Sequence, residues 1–138
     1  MVSFVIDASA TLPWCFEDEA TAYTEGLLNR CAAGEEMMVA SVWPLEITNG
    51  LLSAQRRGRV TAERVEQFLT QILRFHIQVE PFTTQQAVRE VRQLAQTHQL
   101  TTYDAAYLAL ALRFQLPLAT LDKELITAAN TAGVRLVE

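Results

Sequence analysis

The chain has 138 residues, half of them apolar and one fifth charged, with a net charge of −5. That length and balance describe one globular domain and exclude a disordered chain. No apolar run reaches the ~20 residues of a membrane helix. The surplus of acid also argues against a protein that holds nucleic acid on a broad basic surface. The two cysteines, Cys15 and Cys31, form neither a disulfide framework nor a zinc spacing and read as small buried hydrophobes. The opening MVSFVIDASA lacks a basic region before its apolar stretch, so it reads as a strand, not a signal peptide, and a cytoplasmic protein is expected.

Taken in chain order, apolar runs alternate with helical stretches. SFVIDAS is a buried-strand candidate, followed by a helix over about 19–33. MMVASV is a second strand, stopped before Pro44. A helix over about 44–57 has Pro44 at its first position and Gly58 at C′. TAERVEQFLTQILRF carries Val65, Phe68, Leu69, Ile72 and Leu73 at helical spacing, with Thr61 as cap. IQVEPF is a third strand. The next helix places Ala87, Val91, Leu94 and Ala95 on one stripe. TYDAAYLALALRF is apolar almost all round, which requires burial on most sides. LPLATLD is a fourth strand, KELITAANTAG a short helix ended by Gly133, and VRLVE a last strand. This alternation predicts one three-layer α/β/α domain over residues 1–138, with a central parallel sheet of about five strands.

Much familiar chemistry is absent. The glycines at 26, 34, 50, 58 and 133 build neither GxGxxG nor a Walker loop, and there is no GxSxG elbow. His76 and His98 have no recognisable nucleophile near them. A receiver domain usually carries adjacent acids and a late Lys. An Asp-nucleophile hydrolase usually carries DxD, and VIDAS has Ser9 at the second Asp position.

Carboxylates remain. The chain has only four Asp, and three of them stand at element ends. Asp7 closes the first strand, Asp122 closes the fourth, and Asp104 lies in the first turn of the apolar helix. Glu46 lies in the first turn of the helix from Pro44. Each could serve only as a helix cap or a first-turn acid. Yet Glu46 and Asp104 sit among apolar neighbours, and only Asp122 has a cation within three positions. Buried carboxylates without cations repel and take up protons, and a divalent cation removes that conflict. Oxygen-only ligands suit Mg²⁺ or Mn²⁺.

VIDAS, PLEITNGLL, TTYDAAYLALAL and LPLATLD together resemble the four signature segments of PIN-domain ribonucleases, closest to VapC-type toxins of toxin–antitoxin pairs. The resemblance spans the whole chain. It implies a five-stranded parallel sheet and Mg²⁺- or Mn²⁺-dependent cleavage of RNA by the quartet Asp7, Glu46, Asp104 and Asp122. On this resemblance Asp7 and Asp104 hold metal, and Glu46 and Asp122 complete the shell or orient water. Thr120 matches a hydroxyl position that can bond metal-bound water. Asn49 matches a frequent Asn that contacts substrate or water, or else packs a helix. An antitoxin partner and a homodimer are implied as well, with the stretches near 10–16 and 61–75 as candidate surfaces. Two alternatives remain open at this point: a PIN-like RNA-processing nuclease without antitoxin, and a catalytically silent PIN-like module. In QRRGR, Arg56, Arg57 and Arg59 are either a solvated helix end or RNA-phosphate contacts.

Overall fold

The computed structural model describes residues 1–138. Strands β1 (Val2–Ile6), β2 (Glu36–Ala40), β3 (Ile77–Glu80) and β4 (Leu118–Ala119) form a parallel sheet in the order β3-β2-β1-β4. The helices are α1 (Ala8–Thr11), α2 (Ala22–Ala32), α3 (Trp43–Arg56), α4 (Ala62–Ile72), α5 (Arg92–His98), α6 (Thr102–Phe114) and α7 (Lys123–Ala132). They complete the expected α/β/α layers. The chain moves outward from β1 to β2 and β3, then returns to the other side of β1 as β4. The reversal falls between β1 and β4, and in such sheets ligands gather outside the strand ends at that point.

Local chemistry starts and stops most helices. Thr21, Thr61, Thr101 and Asp122 accept backbone N–H bonds as N-caps. Gly58 and Gly133 take positive φ beyond α3 and at the end of α7, as their positions predict. Gln99 and Gln115 also end helices at φ 55°, where no glycine marked the stop. In α6 every residue from Ala105 to Ala111 is buried, so the helix that is apolar all round packs against β1, β2 and β4.

Four expectations change. The last segment is not a strand but a single bridge, Leu136 to Leu118. β4 is only two residues long, because Pro117 offers no N–H and Thr120 turns its hydroxyl into the site, so little ladder remains to extend. The helix over 19–33 begins only at Ala22, after a 3-10 turn at Glu17–Glu19. The stripe containing Ala87 is broken. Gln86–Val91 is a π-helix, and its wider turn leaves Ala87 exposed while Val91 and Ala95 remain buried.

The segment 10–16 is core and supplies no partner surface. Ala10, Trp14, Cys15 and Phe16 are buried, and Leu12 packs so closely on Gly50 that a Cβ there would meet its Cδ1 at 2.6 Å. The Arg64 guanidinium ties this segment to α4 by donating to the carbonyls of Trp14 (2.8 Å) and Cys15 (3.2 Å). On α4 itself Val65, Phe68 and Ile72 face inward, and Leu73 just beyond it is 81% exposed. Both cysteines are free and buried.

Candidate functional site

The C-terminal crest of the sheet gathers the four acids. Asp7 follows β1, is 4% exposed, and is the most tightly held. Its Oδ1 accepts from the Ser9 hydroxyl (2.7 Å) and the Ala10 N–H (3.1 Å), which also caps α1. Its Oδ2 accepts from the Thr120 hydroxyl at 2.5 Å. Burial nevertheless wins over these donors and lifts the Asp7 carboxyl from 3.8 to about 6. Thr120 in turn accepts from the Asp122 N–H (3.1 Å), while Ser9 accepts from the Leu121 N–H (2.9 Å). The turn after β4 is thereby fastened to the turn after β1.

Asp104 lies in the first turn of α6, where its own N–H is capped by Thr101. Its carboxyl is raised by burial, then by the charges of Asp122 and Glu46, with Glu124 adding to them. Those repulsions place three further acids around it. Glu46, in the first turn of α3, accepts from the Tyr107 hydroxyl at 2.5 Å. That phenol is buried beneath the crest, and burial followed by its bond to Glu46 raises its pKa. Asp122 uses Oδ1 to cap α7 through the Leu125 N–H (2.9 Å). The cap reading of Asp7 and Asp122 is therefore correct, and it coexists with their place in the cluster. None of the five ion pairs in the structure touches any of these four acids.

The other sequence candidates divide. Thr120 is buried and bonds Asp7 directly. Asn49 is exposed on α3, which removes the helix-packing alternative. The Arg cluster stands apart, since ten residues of helix separate Arg56 from Glu46, about 15 Å. Arg59 is already engaged: it bonds Glu19 (2.6 Å) and Asp18 (3.3 Å) and lies over the Phe16 ring at 5.1 Å. Arg56 and Arg57 are exposed without an ion pair. If they hold RNA phosphates, an Arg56→Gln/Arg57→Gln variant is expected to flatten the salt dependence of RNA binding by roughly 0.7 in log–log slope per lost contact. Adding Arg59→Gln should flatten it no further. Filter binding across a salt series reads this, and an unchanged slope in the double variant assigns both residues to solvent. Sequence reading missed Ser9 as an Asp7 partner and missed Tyr107. The VIDAS and YDAAY segments contain both, but their roles appear only in contact.

No three His, Cys, Asp or Glu side chains are arranged to enclose a metal by themselves. The donor set still fits a hard divalent cation. Mg²⁺ characteristically uses one or two carboxylates and keeps several waters. Asp7 and Asp104, raised by burial and by neighbouring negative charge with no cation at hand, are oxygen donors of that kind.

The raised carboxyl has a consequence for the metal-free protein. Folded Asp7 keeps its proton to about pH 6, whereas its unfolded reference is 3.8. The native state therefore binds more protons in that window, so this group makes stability fall as pH rises from about 4 to 6. The difference of about two units corresponds to roughly 3 kcal/mol at most. In EDTA, the Tm of Asp7→Asn relative to wild type is expected to rise by several degrees between pH 4 and pH 7. Calorimetry showing a constant difference across that range would remove the assignment of Asp7 as a strained acid.

A parallel sheet with reversed strand order and clustered carboxylates at its crest defines a class. The PIN domain sequence profile matches residues 4–130, and the chain belongs to the PIN domain family. It is similar to Ribonuclease VapC3 of Pyrobaculum aerophilum, with 27% identity over 124 residues, 90% of this chain and 92% of the relative. The crystal structure of PAE2754 from Pyrobaculum aerophilum is similar at TM-score 0.70 and 26% identity, covering 92% of this chain and 79% of that one. VapC20 of Mycobacterium tuberculosis, described as a sarcin-ricin loop cleaving toxin, shares the fold at TM-score 0.66 and 15% identity over 99% of each chain.

Proposed function

We propose that this chain is a single-domain, Mg²⁺- or Mn²⁺-dependent endoribonuclease over residues 1–138, acting as the toxin of a toxin–antitoxin pair in the cytoplasm. The observation that carries the reading is the cluster of four acids at the strand-order reversal, where Asp104 is repelled by Asp122 and Glu46 and no ion pair reaches any of the four. The similarity to a protein named a ribonuclease supports the chemistry. The partners belonging to this reading are RNA, an antitoxin protein and a second copy of the chain. The structure adds one plain fact: no helix is long and apolar enough to cross a membrane.

Asp7 and Asp104 would hold the cation. When bound, such a cation makes water a stronger nucleophile and offsets charge gathering on phosphate oxygens. The chain's own residues do the positioning. Ser9, Thr120 and the Ala10 N–H fix both oxygens of Asp7, so it presents one orientation. Tyr107 occupies Oε1 of Glu46 and leaves Oε2 to accept a proton or orient water. Asp122, fastened by its cap on α7, holds negative charge beside Asp104 without leaving the crest. Asn49, exposed one turn along α3 from Glu46, would contact RNA in this reading.

Mapping RNA 5′ ends in cells after brief expression tests the reading. Discrete cleavage sites that are absent with Asp104→Asn are expected. Identical RNA ends in both strains would end it.

A further inference from the structure

Beside the acidic crest lies a second cavity of about 490 Å³, within the size range of small-molecule sites. It is lined by Ala40 and Ser41 at the end of β2 and by Thr102 and Tyr103, the residues immediately before Asp104. The π-helical turn also lines it, through Ala87, Val88 and Val91, and such a distortion is often found at functional sites. Of the lining residues, Tyr103 is 59% exposed and Val88 is 53% exposed, so the cavity presents an uncovered aromatic surface and an uncovered aliphatic one.

The charge at this cavity is opposite to that of the crest. No carboxylate lines it, and its one charged residue is Arg92, which is exposed and makes no ion pair. Arg113 is already used: it bonds Glu90 at 3.0 Å and covers the Phe82 ring at 5.1 Å, and Arg89, exposed on the π-helix without an ion pair, lies outside the lining. A ligand for this place is flat, largely apolar and tied to an anion. It must also reach Asp104, one residue from Tyr103.

We propose that this cavity is a nucleobase subsite, in which one unstacked base of single-stranded RNA lies against Tyr103 with its flanking phosphate at Arg92 while the adjoining phosphodiester sits at the acidic crest. The inference rests on the ribonuclease reading of that crest and adds how the substrate is gripped. Single-stranded RNA is recognised by stacking splayed bases on aromatic rings. A sheet crest rich in carboxylates repels the RNA backbone, so binding must come from contacts beside it, and this cavity supplies both a ring and a cation.

The test is fluorescence anisotropy in EDTA with labelled single-stranded homopolymers of A, C, G and U, and an abasic ribose-phosphate oligomer of equal length. Wild type is expected to bind at least one homopolymer about tenfold more tightly than the abasic oligomer. Tyr103→Ala should lose that tenfold difference, whereas Tyr103→Phe should keep it, because the ring and not the hydroxyl does the stacking. Tyr103 is exposed, so neither variant threatens folding. If Tyr103→Ala prefers bases over the abasic oligomer as strongly as wild type, the subsite is wrong. Should that variant still cleave RNA normally in Mg²⁺, only the subsite falls and the ribonuclease reading stands. If wild type neither binds nor cleaves RNA, both fall together. Loss of self-association in Tyr103→Ala with unchanged RNA binding would make the cavity a protein contact and overturn the proposal.

Discussion

Asp104→Asn is expected to lower RNA cleavage by about 10³-fold or more, and Asp7→Asn to do the same. A cation of this class contributes several kcal/mol of charge stabilisation, and each 1.36 kcal/mol is tenfold in rate. On the proposed ligation, removing one of the two carboxylates would weaken both the hold on the cation and its placement. Neither change should unfold the protein. Asp104 is half-buried among like charges, so Asn relieves repulsion from Asp122 and Glu46. In Asp7→Asn the amide oxygen still accepts from Ser9 and the Ala10 N–H, and the Thr120 hydroxyl can turn to accept from the amide nitrogen. The measurement is the cleavage rate of each variant across a Mg²⁺ series, with circular dichroism as the control for folding. Wild-type rates at limiting Mg²⁺ in either variant would remove these residues from the metal.

Chelation is the second large effect. EDTA is expected to stop cleavage, and Mg²⁺ or Mn²⁺ to restore it, with Ca²⁺ restoring little. With Asp7 and Asp104 as the proposed ligands the chain supplies only two carboxylates, so geometry would have to come from the ion. Mg²⁺ demands near-ideal octahedral coordination at 2.0–2.1 Å, whereas Ca²⁺ accepts six to eight oxygens at 2.3–2.6 Å. The looser ion can occupy the acids without aligning water on phosphorus. Chelation should also raise the two carboxyl pKa values toward their metal-free positions, so the loss of activity in EDTA should come with proton uptake. Undiminished cleavage in EDTA would exclude a metal mechanism and leave the acid cluster without its assigned task.

The parts of this protein legible from sequence are those governed by near neighbours. Asp7 stands at the end of an apolar run, and a strand end exposes its next residue to the crest. Thr61, Gly58 and Gly133 were legible because capping and positive φ depend on one or two residues. The long apolar stretch of α6 announced its burial because no amphipathic arrangement could leave a face for water. What stayed hidden depends on residues far apart in the chain. Tyr107 and Glu46 are 61 positions apart, and Thr120 and Asp7 are 113 apart. Nothing in either segment alone says that a phenol or a hydroxyl will be carried to a carboxylate. The same holds for Arg59, whose fate was set by Asp18 and Glu19 at positions 41 and 40 away.

The sequence by itself determined the alternation of strands and helices up to the fourth strand, the absence of nucleotide-cradling loops, and that three of the four acids, Asp7, Glu46 and Asp104, lack a cation within three positions. Those follow from periodicity, backbone preference and local charge, which act over a few residues. Only the tertiary structure decided that 10–16 is core, that the last strand shrinks to a bridge, that a π-turn moves Ala87 outward, and that an apolar cavity with one free Arg stands beside Asp104. These outcomes depend on which surfaces meet across the sheet. Packing, desolvation and like-charge repulsion act between segments whose separation in sequence carries no information about their separation in space.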